Sequence, residues 1–177
     1  VVVVLNNYAK DVIKKYVTDY TTIKVIPNGT PINKFNKKIF SYDNLNFCVI
    51  GPYNHRKGTD NLYFFIKNLK ETGLKFTVHH FGKSRPEDDF SSNYLHKISE
   101  LKINFIEHGY TQNDTLIKKL DRMHFMILPS RKEGLSRAYL ESIERGVIPI
   151  LSNIGEHKEL VRDGGCIGLD FNINMEI

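Results

Sequence analysis

The sequence predicts an α/β fold built on a doubly wound parallel sheet, and three observations point there. From residue 45 onward, short apolar runs alternate with amphipathic segments of helical period. The apolar runs are nearly continuous, as buried parallel strands require. Each run is followed by Gly, Pro or Asn before the next helical segment, so strands and helices are separated by tight connections.

In chain order, residues 1–5 form an apolar, β-branched run that reads as a buried parallel strand. Asn6 or Asn7 can cap the following helix, which carries Tyr8, Val12, Ile13 and Tyr16 at helical spacing. A second short strand spans 23–26 and ends in the turn Pro27-Asn28-Gly29. Residues 30–44 show no periodicity and read as a linker. Strands are then expected at 46–50, 75–81, 103–106, 125–128, 147–151 and 166–169. Helices are expected between them at 58–71, 91–101, 113–122, 137–145 and 157–162. Gly146 terminates the helix before it.

The 177 residues fit one domain, or one domain with part of another, and 41% hydrophobic residues suffice for a core. The net charge of +5 is spread along the chain, with no basic run of the kind that marks nucleic-acid binding. No apolar run approaches the ~18 residues of a membrane span. Residues 1–5 are too short for the ~7–15 residue core of a signal peptide. The chain lacks an initial Met and is expected to begin inside a longer protein. Cys48 and Cys166 lie in apolar runs and read as core thiols of a reducing, cytoplasmic compartment rather than a disulfide or metal pair. The seven histidines show no metal-ligand spacing, and His79-His80 point to opposite faces of a strand.

In a parallel sheet, the loops after the strands open on one edge, where ligands bind. Four such loops stand out. Gly51-Pro52-Tyr53-Asn54-His55-Arg56-Lys57-Gly58 places two cations before a helix, either as a diphosphate site or as a solvated basic loop. It lacks the Gly-Lys-Ser/Thr order of a Walker loop. Gly82 is either a simple turn or a point of close backbone approach to a ligand. Glu107-His108-Gly109-Tyr110 offers Gly109 and a Tyr110 ring that either stacks on a planar base or lies bare on the surface. The fourth loop, residues 129–136, holds Glu133 and leads through the N-cap Ser136 into a helix bearing Glu141. A helix N-terminus with free backbone N–H groups is an anion site, while carboxylates accept hydrogen bonds from hydroxyls. The pair suggests a ligand that is both phosphate and sugar.

In order, these motifs resemble the C-terminal, donor-binding half of retaining family 4 glycosyltransferases, two-domain enzymes of GT-B architecture. The resemblance rests on Val25-Ile26-Pro27-Asn28-Gly29 with Phe35, on Gly51 to Gly58, and on Glu133 and Glu141 as Glu-x7-Glu. Pro129-Ser130 and Gly146-Val147-Ile148-Pro149 flank that motif, and Ser152 and Glu159 follow it. It implies a Rossmann-like donor-binding domain over 45–177, an interdomain segment over 21–44, and a strand-helix remnant of the N-terminal domain over 1–20. It implies that Lys57 contacts the donor diphosphate, with Arg56 beside it, and that Glu133 binds sugar hydroxyls at the reacting carbon. Backbone N–H groups at Gly134, Leu135 and Ser136 would hold phosphate, Glu141 the ribose, and Gly109 and Tyr110 the base. The donor would be a UDP-, GDP- or ADP-sugar, used without a metal. The acceptor would be a glycan or a lipid-linked acceptor bound through the N-terminal domain, with no more than peripheral membrane contact. One departure stands out: the family's Arg after the first loop Gly is Pro52 here, which brings neither charge nor N–H. Arg56 or Arg137 is the candidate replacement. The competing readings are a nucleotide-sugar epimerase, a degenerate non-catalytic nucleotide-sugar module and, last, a nucleic-acid-binding domain.

Overall fold

The computed structural model describes residues 1–29, 43–83, 89–134, 136–155 and 157–171. Its centre is a six-stranded, wholly parallel sheet. The first two strands, β1 (Val2–Val4) and β2 (Ile23–Val25), pair with each other in a separate parallel sheet. Between them runs α1 (Asn7–Ile13), where the Asn6 carboxamide oxygen accepts from the Ala9 N–H at 2.6 Å. The large sheet comprises β3 (Leu45–Ile50), β4 (Phe76–Phe81), β5 (Asn104–Gly109), β6 (Phe125–Leu128), β7 (Ile148–Ser152) and β8 (Ile167–Leu169). The helices that join these strands are α2 (Thr59–Glu71), α3 (Asp89–Glu100), α4 (Asn113–Leu120), α5 (Arg137–Glu144) and α6 (His157–Arg162).

The order across the sheet is β5-β4-β3-β6-β7-β8. The chain therefore winds outward from β3 in one direction, then returns to β6 and winds outward in the other. That reversal between β3 and β6 is the topological switch point of a doubly wound sheet. The period of two along each strand divides the core between the two faces. Phe47, Val49, Val78 and Ile127 pack with Leu62 and Ile66 of α2 and with Tyr94 and Ile98 of α3. Cys48, Phe81, Met126 and Leu128 pack with Leu116 and Leu120 of α4 and with Tyr139 of α5. The central strands have apolar side chains buried toward both layers, which is why their sequence reads as continuous runs.

Two expectations need correction. Residues 1–5 do form a strand, but it is not buried: Val4 is covered while Val3 is 57% exposed, and α1 has no buried residue. The third strand of the alternation runs on to Gly109 rather than ending at 106. His80 pairs with Glu107, and the register then shifts so that Phe81 pairs with Gly109, leaving His108 as the extra residue of a bulge in this strand. Of the two readings left open for Gly82, the turn fits: a Cβ there would overlap the Gly51 carbonyl. The linker at 30–44, including Phe35, lies outside the described residues apart from its end. Neither cysteine is in a disulfide; Cys48 is fully buried and Cys166 partly so. Among the described residues no helix is long and apolar enough to cross a membrane.

Candidate functional site

At the switch point, the carboxyl ends of β3, β5 and β6 open on a cleft of about 570 Å³. Gly51, Pro52 and Lys57 form one wall, and Tyr110, Thr111 and Asn113 a second. Glu133, Gly134, Ser136, Arg137 and Glu141 close the third. The sheet thus brings together Lys57, Glu133, Gly134, Ser136, Glu141 and Tyr110 from loops far apart in sequence. Gly109 and Arg56 are not among the lining residues. Leu135 lies outside the described residues.

The loop after β3 is held from below and from within. Tyr53 is buried and stacks on His80 of β4, with ring centroids 4.0 Å apart. Burial, with Glu107 adding to it, pushes the Tyr53 phenol well up, while burial pushes His80 down to about 3. The Asn54 side chain accepts from the Lys57 N–H at 2.8 Å, and Thr59 Oγ accepts from the Asn54 N–H at 2.9 Å. Gly58 has φ 68°, and a Cβ there would overlap the Pro129 carbonyl. Only glycine permits both the left-handed turn and that approach.

This loop is tied to the loop after β6. Lys57 Nζ donates to Glu133 Oε1 at 2.5 Å, and Ser130 Oγ donates to the same oxygen at 2.9 Å. Their side chains are 18% (Lys57) and 9% (Glu133) exposed, so water screens the pair poorly. The Arg131 N–H donates to the Arg56 carbonyl, and the Arg131 guanidinium grips Asp60 with two bonds of 2.6 Å. Arg56 turns its guanidinium to the Lys132 carbonyl at 3.3 Å, lying 3.9 Å from Glu133. Behind them, Ser152 Oγ donates to the Ser130 carbonyl and His157 Nδ1 donates to the Ser152 carbonyl at 3.0 Å. Burial lowers His157 from its usual range, opposed by that carbonyl and by Glu133.

The last wall is α5. Ser136 caps it, its hydroxyl accepting from the Tyr139 N–H, and Ser136, Arg137 and Ala138 at this helix N-terminus line the cleft. Glu141 is 16% exposed and lies 3.6 Å from the Arg137 guanidinium. Burial raises its carboxyl above the usual range; Arg137 opposes that and Glu144 adds to it. Tyr110 is 80% exposed at the rim. Chemically, the cleft offers a helix N-terminus and two cations for an anion, two acceptor carboxylates for hydroxyls, and a free ring face. Among the described residues no group of three His, Cys, Asp or Glu side chains is placed to hold a metal ion.

Residues 32–173 match the family of glycosyl transferases group 1. The chain belongs to this family. No curated protein matches it. Among solved structures it is similar to the sucrose-phosphate synthase of Thermosynechococcus elongatus, at 16% identity and a TM-score of 0.78. That match covers 96% of this chain and 45% of the other. A TarM variant of S. aureus, solved with fondaparinux, alpha-GlcNAc-glycerol and UDP, matches at 19% identity and a TM-score of 0.77. It covers 97% of this chain and 34% of that one. The C-terminal domain of a glycosyl transferase group 1 family protein from Francisella tularensis matches at 22% identity and a TM-score of 0.60. That comparison covers 71% of this chain and 67% of the other. The likeness to these structures is one of fold, the Rossmann-like α/β domain of GT-B glycosyltransferases, and the chain spans less than half the length of the first two.

Sequence reasoning passed over several residues of this group 1 domain. Thr111 and Asn113 line the cleft, and Asp60, Arg131 and His157 support its loops. Thr111 and Asn113 were legible as the turn into α4. The Asp60–Arg131 pair had no local signal, because its partners are 71 residues apart.

Proposed function

We propose that this chain is the nucleotide-sugar-binding domain of a retaining, family 4 glycosyltransferase. It moves a hexose-type sugar from a UDP-, GDP- or ADP-sugar to a glycan or lipid-linked acceptor, in polysaccharide or glycan synthesis on the cytoplasmic side. The observation that carries the reading is the meeting of Lys57, Glu133, Glu141 and the α5 N-terminus in one cleft at the switch point of a group 1 domain.

In this reading residues 1–20 belong to an N-terminal domain that supplies the acceptor site, residues 21–44 join the two domains, and residues 45–177 bind the donor. The Gly134, Leu135 and Ser136 N–H groups and Lys57 hold the diphosphate, with Arg56 backing Lys57 through Glu133. Glu133 accepts from sugar hydroxyls beside the anomeric carbon, Glu141 accepts from the ribose, and Gly109 and Tyr110 flank the base. As the glycosidic C–O bond breaks, negative charge grows on the diphosphate. The Lys57 ammonium and the α5 N-terminus stabilise that charge where it appears, without a metal. The sugar passes to the acceptor with retention.

Calorimetric titration with UDP, GDP, ADP and their sugar conjugates tests this. Binding of one nucleotide, weakened by Glu141→Ala and by Lys57→Ala, is expected. No nucleotide binding at millimolar ligand would sink the reading and leave a degenerate module. The chain is expected to bind without turnover, and sugar transfer by it alone would overturn that part. Pro52 in the cleft wall is the observation that favours the degenerate module.

A further inference from the structure

The charges that line the cleft come in two pairs of different character. Lys57 and Glu133 are largely buried and in contact at 2.5 Å. Arg137 and Glu141 are one helical turn apart on α5 at 3.6 Å, and Arg137 is 78% exposed. An exposed arginine at that distance is weakly held and free to turn. The carboxylate is far more sheltered, with the Glu141 side chain only 16% exposed.

Arg137 also stands where a helix disfavours a cation. It is the first residue of α5, directly after the Ser136 cap, and no acidic residue lies in the first turn. The helix end is positive there, so an arginine adds like charge to like. An anion in the cleft would turn that repulsion into a shared attraction.

The other cations do not serve this place. A nucleotide diphosphate carries at least two negative charges, and Lys57 balances one of them. Pro52, which lines the same wall, offers neither charge nor N–H. Arg56 sends its guanidinium to the Lys132 carbonyl and lies outside the lining. Arg137 lines it.

We propose that Arg137 is the second cation for the donor's diphosphate, and that it leaves Glu141 for the phosphate when ribose hydroxyls take that carboxylate. The proposal rests on the donor-site reading above and adds the residue that replaces the charge missing at Pro52. It makes phosphate recognition and ribose recognition a single exchange of partners.

The test compares nucleosides with nucleoside diphosphates. The whole chain, Arg137→Gln, Arg137→Lys and the control Lys70→Gln are titrated with UDP, GDP and ADP by calorimetry. The corresponding nucleosides are titrated by NMR shift perturbation. Lys70 is exposed in the last turn of α2, and its loss matches the change in net charge. Arg137→Gln is expected to weaken the bound diphosphate about tenfold or more while changing nucleoside affinity less than about twofold. Arg137→Lys retains part of the loss, and Lys70→Gln changes neither ligand. Unchanged melting temperatures certify the folds. An unaltered diphosphate affinity in Arg137→Gln overturns the proposal, and so does an equal loss for nucleoside and diphosphate. If the unsubstituted chain binds no nucleoside diphosphate, the donor-site reading itself falls, and this proposal with it.

Discussion

Arg131→Met should loosen the wall of the cleft by an amount that can be worked out in advance. The guanidinium donates twice to Asp60 at 2.6 Å, to the His55 carbonyl at 3.0 Å and to Asn61 Oδ1 at 3.2 Å. Truncating a charge-assisted bond of this kind costs about 1.5–3 kcal/mol when the partner is covered. Here the side chains are 30% and 29% exposed, so solvent reduces the effect. The expected loss is about 1–3 kcal/mol, or a melting point lower by about 2–10 °C for a domain of this size. The dependence on pH has a definite sign. Burial pushes the Asp60 carboxyl up, but the Arg131 bonds outweigh it and hold the group below its usual range. A lowered carboxylate stabilises the fold above its unfolded value of ~3.9, and that contribution is lost as pH falls through the folded value. Urea unfolding of both chains at pH 7 and near pH ~3 measures this. The gap between their midpoints is expected in full at pH 7 and diminished in acid. Equal midpoints at pH 7, or a gap that widens in acid, would refute the reasoning.

Other outcomes follow from the same geometry. Gly58→Ala meets both the left-handed φ and the Pro129 carbonyl, so a loss of about 2–5 kcal/mol is expected in chemical denaturation. Lys57→Met leaves Glu133 with the Ser130 hydroxyl as its near partner. Calorimetry should then show nucleoside diphosphate binding weakened about tenfold or more. Acid should destabilise the fold through its histidines. Burial holds His79 near 4 and His80 near 3, so the unfolded chain takes up protons first. Their contribution is complete above ~6.5 and drains away as pH falls toward those values, visible as a steady fall in melting temperature that His79→Gln makes shallower.

Much of this molecule was readable before any coordinate. The bounds of β6 and α6 coincide with the expected ones, because each begins and ends at an abrupt change in pattern. The length of β5 was not readable, since the strand carries a bulge at its own His108 before it ends. Nor was the exposure of β1: a run of valines announces a strand, but its burial depends on what lies against it. That Lys57 and the two glutamates share one edge was readable, because loops after parallel strands open on the same side, whereas the adjacency of β3 and β6 was not. The partners of Arg56 and Arg137 were not readable, because two flexible side chains settle them only in the folded chain.

The ties between the loop after β3 and the loop after β6 have a consequence for how the molecule opens. β3 and β4 are in register over six residues and β6 and β7 over four, but β3 meets β6 at Phe47 with Phe125 and Cys48 with Met126. The cleft lies over this short seam, and the loops on its two sides are tied by the Lys57–Glu133 and Asp60–Arg131 pairs. A molecule bound there would touch both banks and act as a staple across the sheet. Amide exchange should report it: protection gained on ligand binding should concentrate at the β3–β6 seam and fade toward β5 and β8.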